Sequence, residues 1–265
     1  MTLSQSLENE LIQVAGAAAD AANEVTLSYF RFGELATESK EQDGYDPVTR
    51  ADREAELAIR DVLAQLRPDD GILGEEFGQK AGTTGLTWIL DPIDGTRGFV
   101  AGTPNWGTLI SVERDGQPLL GQIEQPYIGE RFLGVGTSAT LRHGGKTRDI
   151  STRTARPLSE ATIFTTFPEV GTKEQEAAFH RLARKTQLTR YGMDCYAYAL
   201  LAAGQIDLVV EAGLAKYDIH APAALIAAAG GIVTDWKGGP AHQGGDALAA
   251  ANPEIHAAAM AVLND

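Results

Sequence analysis

Asp52, Glu75, Asp91, Asp94 and Asp218 are the residues of this 265-residue chain whose type and spacing could do chemistry. Each falls at the edge of an expected secondary-structure element, where a side chain can point into a cleft. Glu75 follows a short strand over Gly71–Gly74, and Asp91 ends a strand that includes Trp88, Ile89 and Leu90. Asp94 lies three residues on, in a tight loop set by Pro92 and Gly95, and Asp218 stands at the start of a helix. Hard cations such as Mg²⁺ take oxygen ligands and are commonly held by a few carboxylates plus substrate phosphate. Two such ions roughly 3.5–4 Å apart stabilise both the attacking and the leaving oxygen of a displacement. The economical assignment makes Asp91 the bridging ligand, with Glu75 completing one metal and Asp94 with Asp218 the other. The carbonyl oxygen of Ile93 is a further candidate ligand. A short helix starting within Gly95-Thr96-Arg97-Gly98 would place backbone N–H groups as an anion site beside the metals. The Thr96 hydroxyl would hand a proton from the attacking water to Asp52, an activation that needs no histidine.

Those positions need elements to hold them. Leu7, Leu11, Val14, Ala18, Ala22 and Val25 recur at spacings of three and four, which predicts an amphipathic helix. Ala55, Ile59, Val62 and Leu66 predict a second helix over 52–66, stopped by Arg67-Pro68. From 72 to about 150 the texture is that of strands. Thr108–Val112 and Leu119–Ile123 flank the hairpin signal Asp115-Gly116, and Phe132–Val135 and Thr140–Arg142 continue to a turn at His143-Gly144-Gly145. After about Ser151 strands and helices alternate: strands at 162–165, 188–191, 206–211 and 232–234, helices at 173–185, 195–203 and 219–229. Asn252-Pro253 caps a final helix. The pattern predicts two parts, 1–150 with an antiparallel sheet and the metal-binding loop, and 151–265 as an α/β part that completes the site.

Composition removes several function classes. The formal net charge of -14 repels nucleic acid, and the densest basic stretch, Arg181–Arg190, is broken by neutral and apolar residues. The same absence of a polybasic run argues against membrane attachment, and no apolar run approaches the ~20 residues of a membrane span. With no Lys or Arg before Arg31 the N-terminus lacks the basic region of a secretory signal, so a cytoplasmic location is expected. Cys195 is the only cysteine, which excludes an internal disulfide and a thiolate cluster, and its apolar surroundings read as core. His143, His180, His220, His242 and His256 show no metal-ligand spacing, although His220 lies two residues beyond Asp218.

Taken singly, each acidic residue has a plain structural explanation. Asp218 and Asp52 at helix starts can be caps or dipole partners, Glu75-Glu76 a solvated loop, and Asp91-Pro92 and Asp94-Gly95 ordinary turns. A calcium loop fits poorly, since the regular Asp spacing and terminal Glu of an EF-hand are absent.

Read together, Trp88-Ile89-Leu90-Asp91-Pro92-Ile93-Asp94-Gly95-Thr96, with Gly74-Glu75-Glu76 upstream, closely resembles the inositol monophosphatase family. Tyr217-Asp218-Ile219-His220-Ala221-Pro222 leading to Gly230-Gly231 is similar to that family's C-terminal signature, and Asp46-Pro47-Val48-Thr49 to Asp52 to its pre-helix segment. The resemblance spans nearly the whole chain. It implies a layered αβαβα sandwich, an α+β to α/β fold, with two or three Mg²⁺ ions, Mn²⁺ as a substitute, lithium sensitivity in many members and commonly a homodimer. It implies metal ligands at Glu75, Asp91, the Ile93 carbonyl, Asp94 and Asp218, and the water-activating pair at Asp52 and Thr96.

Three local features resemble the histidinol-phosphate phosphatase branch: Arg97-Gly98-Phe99 after the loop, Arg190–Tyr198, and Val209-Val210-Glu211-Ala212-Gly213-Leu214 before Tyr217. A substrate carrying an ammonium and an imidazole calls for carboxylates beyond the metal ligands, and Asp194 and Glu211 are the candidates. Gly95, Thr96 and Arg97 would face the phosphate. Histidinol phosphate is therefore the expected substrate. The alternatives are inositol-1-phosphate, a broader range of sugar phosphates, and a regulatory protein that kept the fold without turnover.

Overall fold

The computed structural model describes residues 4–32, 37–39 and 47–265; Asp46, part of the sequence match, lies outside them. Two helices open the described chain, α1 (Gln5–Tyr29) and α2 (Arg50–Leu66), with a small ladder of β1 (Thr37–Ser39) and β2 (Pro47–Thr49) between them. An eight-stranded sheet follows, built from β3 (Gly71–Gly74), β4 (Gly78–Lys80), β5 (Leu86–Asp94), β6 (Gly107–Arg114), β7 (Gln117–Gln125), β8 (Glu130–Val135), β9 (Ser138–His143) and β10 (Lys146–Asp149). Its order is β10-β9-β8-β7-β6-β5-β3-β4, antiparallel throughout except for the parallel pair β3/β5. The short helix α3 (Thr96–Ala101) leaves β5 directly. A second sheet of five strands carries the rest: β11 (Thr162–Thr165), β12 (Leu188–Tyr191), β13 (Leu208–Leu214), β14 (Ile232–Thr234) and β15 (Gly245–Ala250), in the order β12-β11-β13-β15-β14. The helices α4 (Lys173–Ala183), α5 (Asp194–Ala202), α6 (Lys216–Ala228) and α7 (Pro253–Leu263) alternate with these strands.

Period-two alternation along the strands sorts the core into layers. On β6, Ile110 and Val112 face α1 and α2, joining Leu11, Ala15, Ala18, Ile59 and Leu63, while Leu109 faces the opposite way. Between the sheets lie α5 and α6, packed by Leu109, Ile123 and Phe132 from one side and by Phe164, Val209 and Ala249 from the other. Leu208, Val210 and Leu248 point outward to α4 and α7, against Phe179, Leu182 and Ile255. The result is a five-layer αβαβα sandwich. Close approach in the middle layer depends on Gly121 of β7, where a Cβ would collide with the Ala221 carbonyl oxygen of α6. That contact seats the middle of α6 on the first sheet.

Several expectations require correction. The strand does not end at Asp91: β5 continues to Asp94, pairing Asp91 with Leu109 and Asp94 with Gly107 across a register shift. Pro92, which has no N–H, occupies that irregular stretch. Helix α6 begins at Lys216, so Asp218 sits inside its first turn. No local signal marks β15, because Gly-Asp-Ala-Leu-Ala-Ala has little β-propensity; it has a partner on each side, and burial between β13 and β14 overrides the local preference. Strands β4 and β10 were likewise not anticipated.

Candidate active site

The parallel pairing of β3 with β5 brings their C-terminal ends together, and Glu75 donates its backbone N–H to the Leu90 carbonyl at 3.2 Å. This places Glu75 beside Asp91. The bulge then turns β5 so that Asp94 faces the same cleft, where its Oδ2 accepts the backbone N–H of Cys195 at 2.6 Å. Asp218 arrives on the first turn of α6, its Oδ2 accepting the Ala215 N–H at 2.7 Å. One carboxylate oxygen from each of Asp91, Asp94 and Asp218 falls within 4.8 Å of the others. The cleft they line has a volume of about 410 Å³ and also exposes Glu75, Ile93, Gly95, Thr96, Arg97, Asp194 and Glu211.

Electrostatics explains why such a cluster suits a cation. Burial, then the charges of Glu75, Asp94 and Asp218, push the Asp91 carboxyl well above the usual carboxylate range. Burial, then Asp194 and Asp218, do the same to Asp94, against the opposing hydrogen bond from Cys195. Packed carboxylates of this kind are unfavourable alone and become a hard oxygen donor set once a dication neutralises them. The residues therefore fit a divalent metal.

Asp52 serves two ends. Its Oδ2 accepts the Thr49 N–H at 2.8 Å and the Thr49 hydroxyl at 2.6 Å, so it is a helix cap as well as a site residue. Its Oδ1 lies 3.3 Å from Thr96 Oγ1, which also reaches the Ile93 carbonyl at 3.0 Å. Burial raises the Asp52 carboxyl to about 6 despite the Thr49 hydrogen bonds. Gly95 adopts φ 84° at the start of α3, and a Cβ there would stand 3.1 Å from the Asp194 side chain. No residue but glycine meets both demands comfortably.

Asp194 and Glu211 form the far wall. Asp194 is itself left-handed at φ 46°, an unusual conformation for a non-glycine residue at the mouth of a cleft. Its Oδ2 accepts the Asn105 amide at 2.7 Å, and burial raises its carboxyl to about 6 against that bond and the Arg97 charge. Glu211 accepts the Thr166 N–H at 2.6 Å and the Thr166 hydroxyl at 2.9 Å, with burial raising it to about 7. The Arg97 guanidinium stacks over Phe167 with its centre 5.0 Å from the ring.

The structure thus places every sequence-derived candidate except Asp52 on the wall of one cleft, and Asp52 is buried behind Thr96. Sequence reasoning missed Asn105, Thr166 and Phe167, which line the cleft or support its wall; nothing in their local spacing marks them, because their roles come from chain segments far apart. His220 turns away from the cluster. Its Nδ1 lies 2.7 Å from Ser111 Oγ and its Nε2 3.1 Å from Glu113 Oε2. Cys195 contributes its backbone N–H, while burial and then Asp94 raise its buried thiol well above its ordinary range.

Known proteins resemble this chain in sequence and in fold. The chain is 42% identical to the chloroplastic bifunctional phosphatase IMPL2 of Arabidopsis thaliana, over 89% of this chain and 67% of that one. It is 36% identical to the histidinol-phosphatase of Streptomyces coelicolor, over 96% of each. A solved inositol monophosphatase from Zymomonas mobilis superposes with a TM-score of 0.85 at 37% identity, covering 99% of this chain and 100% of that one. The sequence model of the inositol monophosphatase family matches residues 7–265, and the chain belongs to that family of phosphatases.

Proposed function

We propose that this protein is a Mg²⁺-dependent phosphomonoesterase acting on histidinol phosphate, releasing histidinol and inorganic phosphate. The observation that carries the reading is the placement of two further carboxylates, half-buried Asp194 and buried Glu211, in the same cleft as the Asp91–Asp94–Asp218 cluster and Thr96, which reaches Asp52 behind it.

Glu75, Asp91, the Ile93 carbonyl, Asp94 and Asp218 would hold Mg²⁺, with Mn²⁺ an acceptable substitute. The bound dications supply charge neutralisation for the phosphate and acidify water. The Thr96 hydroxyl accepts a proton from the attacking water and passes its own to Asp52 Oδ1. The P–O(ester) bond breaks as the new P–O bond forms, and the leaving alkoxide takes up a proton from solvent. Asp194 and Glu211 pair with the ammonium and imidazole of the substrate, fixing which end faces the cluster. The Streptomyces coelicolor relative, named a histidinol-phosphatase, supports the same substrate, and the Arabidopsis thaliana relative supports phosphatase activity.

Inositol hydroxyls would also donate to carboxylates, and the Zymomonas mobilis relative is an inositol monophosphatase. Phosphate release from histidinol phosphate and inositol-1-phosphate, with and without Mg²⁺, separates the two readings. A strong kcat/KM preference for histidinol phosphate supports the proposal. Preference for inositol-1-phosphate refutes the substrate assignment, and no Mg²⁺-dependent release from either refutes both.

A further inference from the structure

Helix α2 presents a second carboxylate one turn after Asp52. Glu56 is fully buried, a position that is costly for a charge unless it is paired and hydrogen-bonded. Its partners identify its task. Oε2 accepts the backbone N–H of Glu76 at 2.7 Å, and Oε1 accepts the backbone N–H of Phe77 at 3.2 Å. Arg60, a turn further along α2, donates its Nε to Glu56 Oε1 at 2.8 Å and a terminal nitrogen to the Gly78 carbonyl at 2.5 Å. The Glu56–Arg60 pair on α2 therefore holds both the loop between β3 and β4 and the first residue of β4.

That loop begins with Glu75. A plain ion pair at this helical spacing would need no contact with a loop some twenty residues away. It would also place no demand on Gly74, where a Cβ would collide with the Glu56 carboxylate. The absent side chain at Gly74, the two aligned N–H groups and the buried carboxylate describe a socket built around Glu56.

We infer that Glu56 is a positioning residue for metal binding: it locks the Glu75 loop to the helix that carries Asp52. Glu75 is thereby held at fixed distance from Asp91 on one side and from the water-activating Asp52–Thr96 pair on the other. Groups that orient metal ligands without touching the ion commonly change affinity when removed. The inference rests on Glu75 being a metal ligand.

The test uses the full chain with Glu56→Gln and Glu56→Asp, beside Glu75→Gln and the parent. Glu56→Asp keeps the charge for Arg60 and so preserves the helix pair, but withdraws the carboxylate from the loop by one methylene; it carries the test if Glu56→Gln does not fold. Mg²⁺ affinity is measured by calorimetric titration and by the Mg²⁺-dependent rise in Tm, and the Mg²⁺ half-saturation of phosphate release is measured separately. Glu56→Asp is expected to weaken Mg²⁺ binding about tenfold or more, with most of kcat restored by added Mg²⁺ and substrate KM at saturating Mg²⁺ within about twofold of the parent. A purely structural role would lower Tm and leave Mg²⁺ affinity unchanged, which overturns the inference. If Glu75→Gln itself binds Mg²⁺ like the parent, the ligand assignment falls and the inference falls with it. If Glu75→Gln is impaired and Glu56→Asp is not, only the inference falls.

Discussion

The backbone N–H of Cys195 meets Asp94 Oδ2 at 2.6 Å, joining residues 101 positions apart. One hydrogen bond thus ties the first turn of α5, from the second-sheet half of the chain, to the carboxylate loop of the first sheet. The cleft is assembled across that junction, and its chemistry depends on both sides being in place.

Asp94→Asn is expected to reduce Mg²⁺-dependent phosphate release by about a hundredfold or more while leaving a folded protein. Because burial and neighbouring carboxylates disfavour ionised Asp94, the neutral amide should raise Tm in the absence of metal. Differential scanning calorimetry in EDTA and phosphate release in excess Mg²⁺ check the two halves. Retained activity would remove Asp94 from the ligand set.

Thr96→Val and Asp52→Asn are each expected to lower kcat by about 10²–10⁴-fold, with Mg²⁺ half-saturation unchanged. If the two groups act as one relay, the double variant should cost no more than the worse single variant. Fully additive losses would separate them. Since Asp52 must be ionised to accept the proton and its carboxyl sits at about 6 in the metal-free protein, activity should fall as pH drops through that region. Bound cations will shift this limb toward lower pH.

Glu211→Gln should raise KM for histidinol phosphate strongly and leave p-nitrophenyl phosphate nearly unaffected; Asp194→Asn should behave alike. Equal effects on both substrates would defeat ammonium recognition. Glu211 also predicts a stability signature. Its folded carboxyl is raised to about 7 from an ordinary 4.5, so folding gains from protonation below about 4.5 and loses that gain as pH rises through 7. Glu211→Gln should therefore stabilise the metal-free protein by roughly 2–4 kcal/mol at pH 8 and by little at pH 4.5. Paired thermal melts at the two pH values measure this directly.

Glu113 carries the opposite sign. Burial alone would raise its carboxyl, but hydrogen bonds from His220 and Lys216, with the Lys216 charge, bring it down from 4.5 to about 2. Burial lowers the His220 pKa, so the ring is neutral at pH 7 and Lys216 Nζ, 2.7 Å from Glu113 Oε2, supplies the matching charge. This stability is present above about pH 4.5 and disappears as pH falls through 2. Glu113→Gln should cost on the order of 2–3 kcal/mol at pH 7, the deficit shrinking toward pH 2 in urea unfolding. A constant deficit across that range would deny the ion pair its role.

Much of the site was legible because its residues occupy element ends that local rules mark. Pro92 and Gly95 frame Asp91 and Asp94, Asp52 stands at a helix start, and apolar spacing marks α1 and places α2 within two residues of its bounds. Where boundaries moved, tertiary pairing was the reason: β6 holds β5 in register past Pro92, and neighbours on both sides hold alanine-rich β15 extended. His220 illustrates the remaining ambiguity. Its position two residues after Asp218 was visible, but α6 turns it toward Ser111 and Glu113 on β6, away from the carboxylates.

By itself the sequence determined the residue types, the element ends that carry them and, through motif resemblance, the family and layered fold. Only the tertiary structure decided that Glu56 holds the Glu75 loop, that Asn105 holds Asp194 and that Glu211 stands buried in the metal cleft. The physical reason is range. Caps, turns and periodicity act within a few residues, whereas buried charges are fixed by partners that the fold brings from tens of positions away.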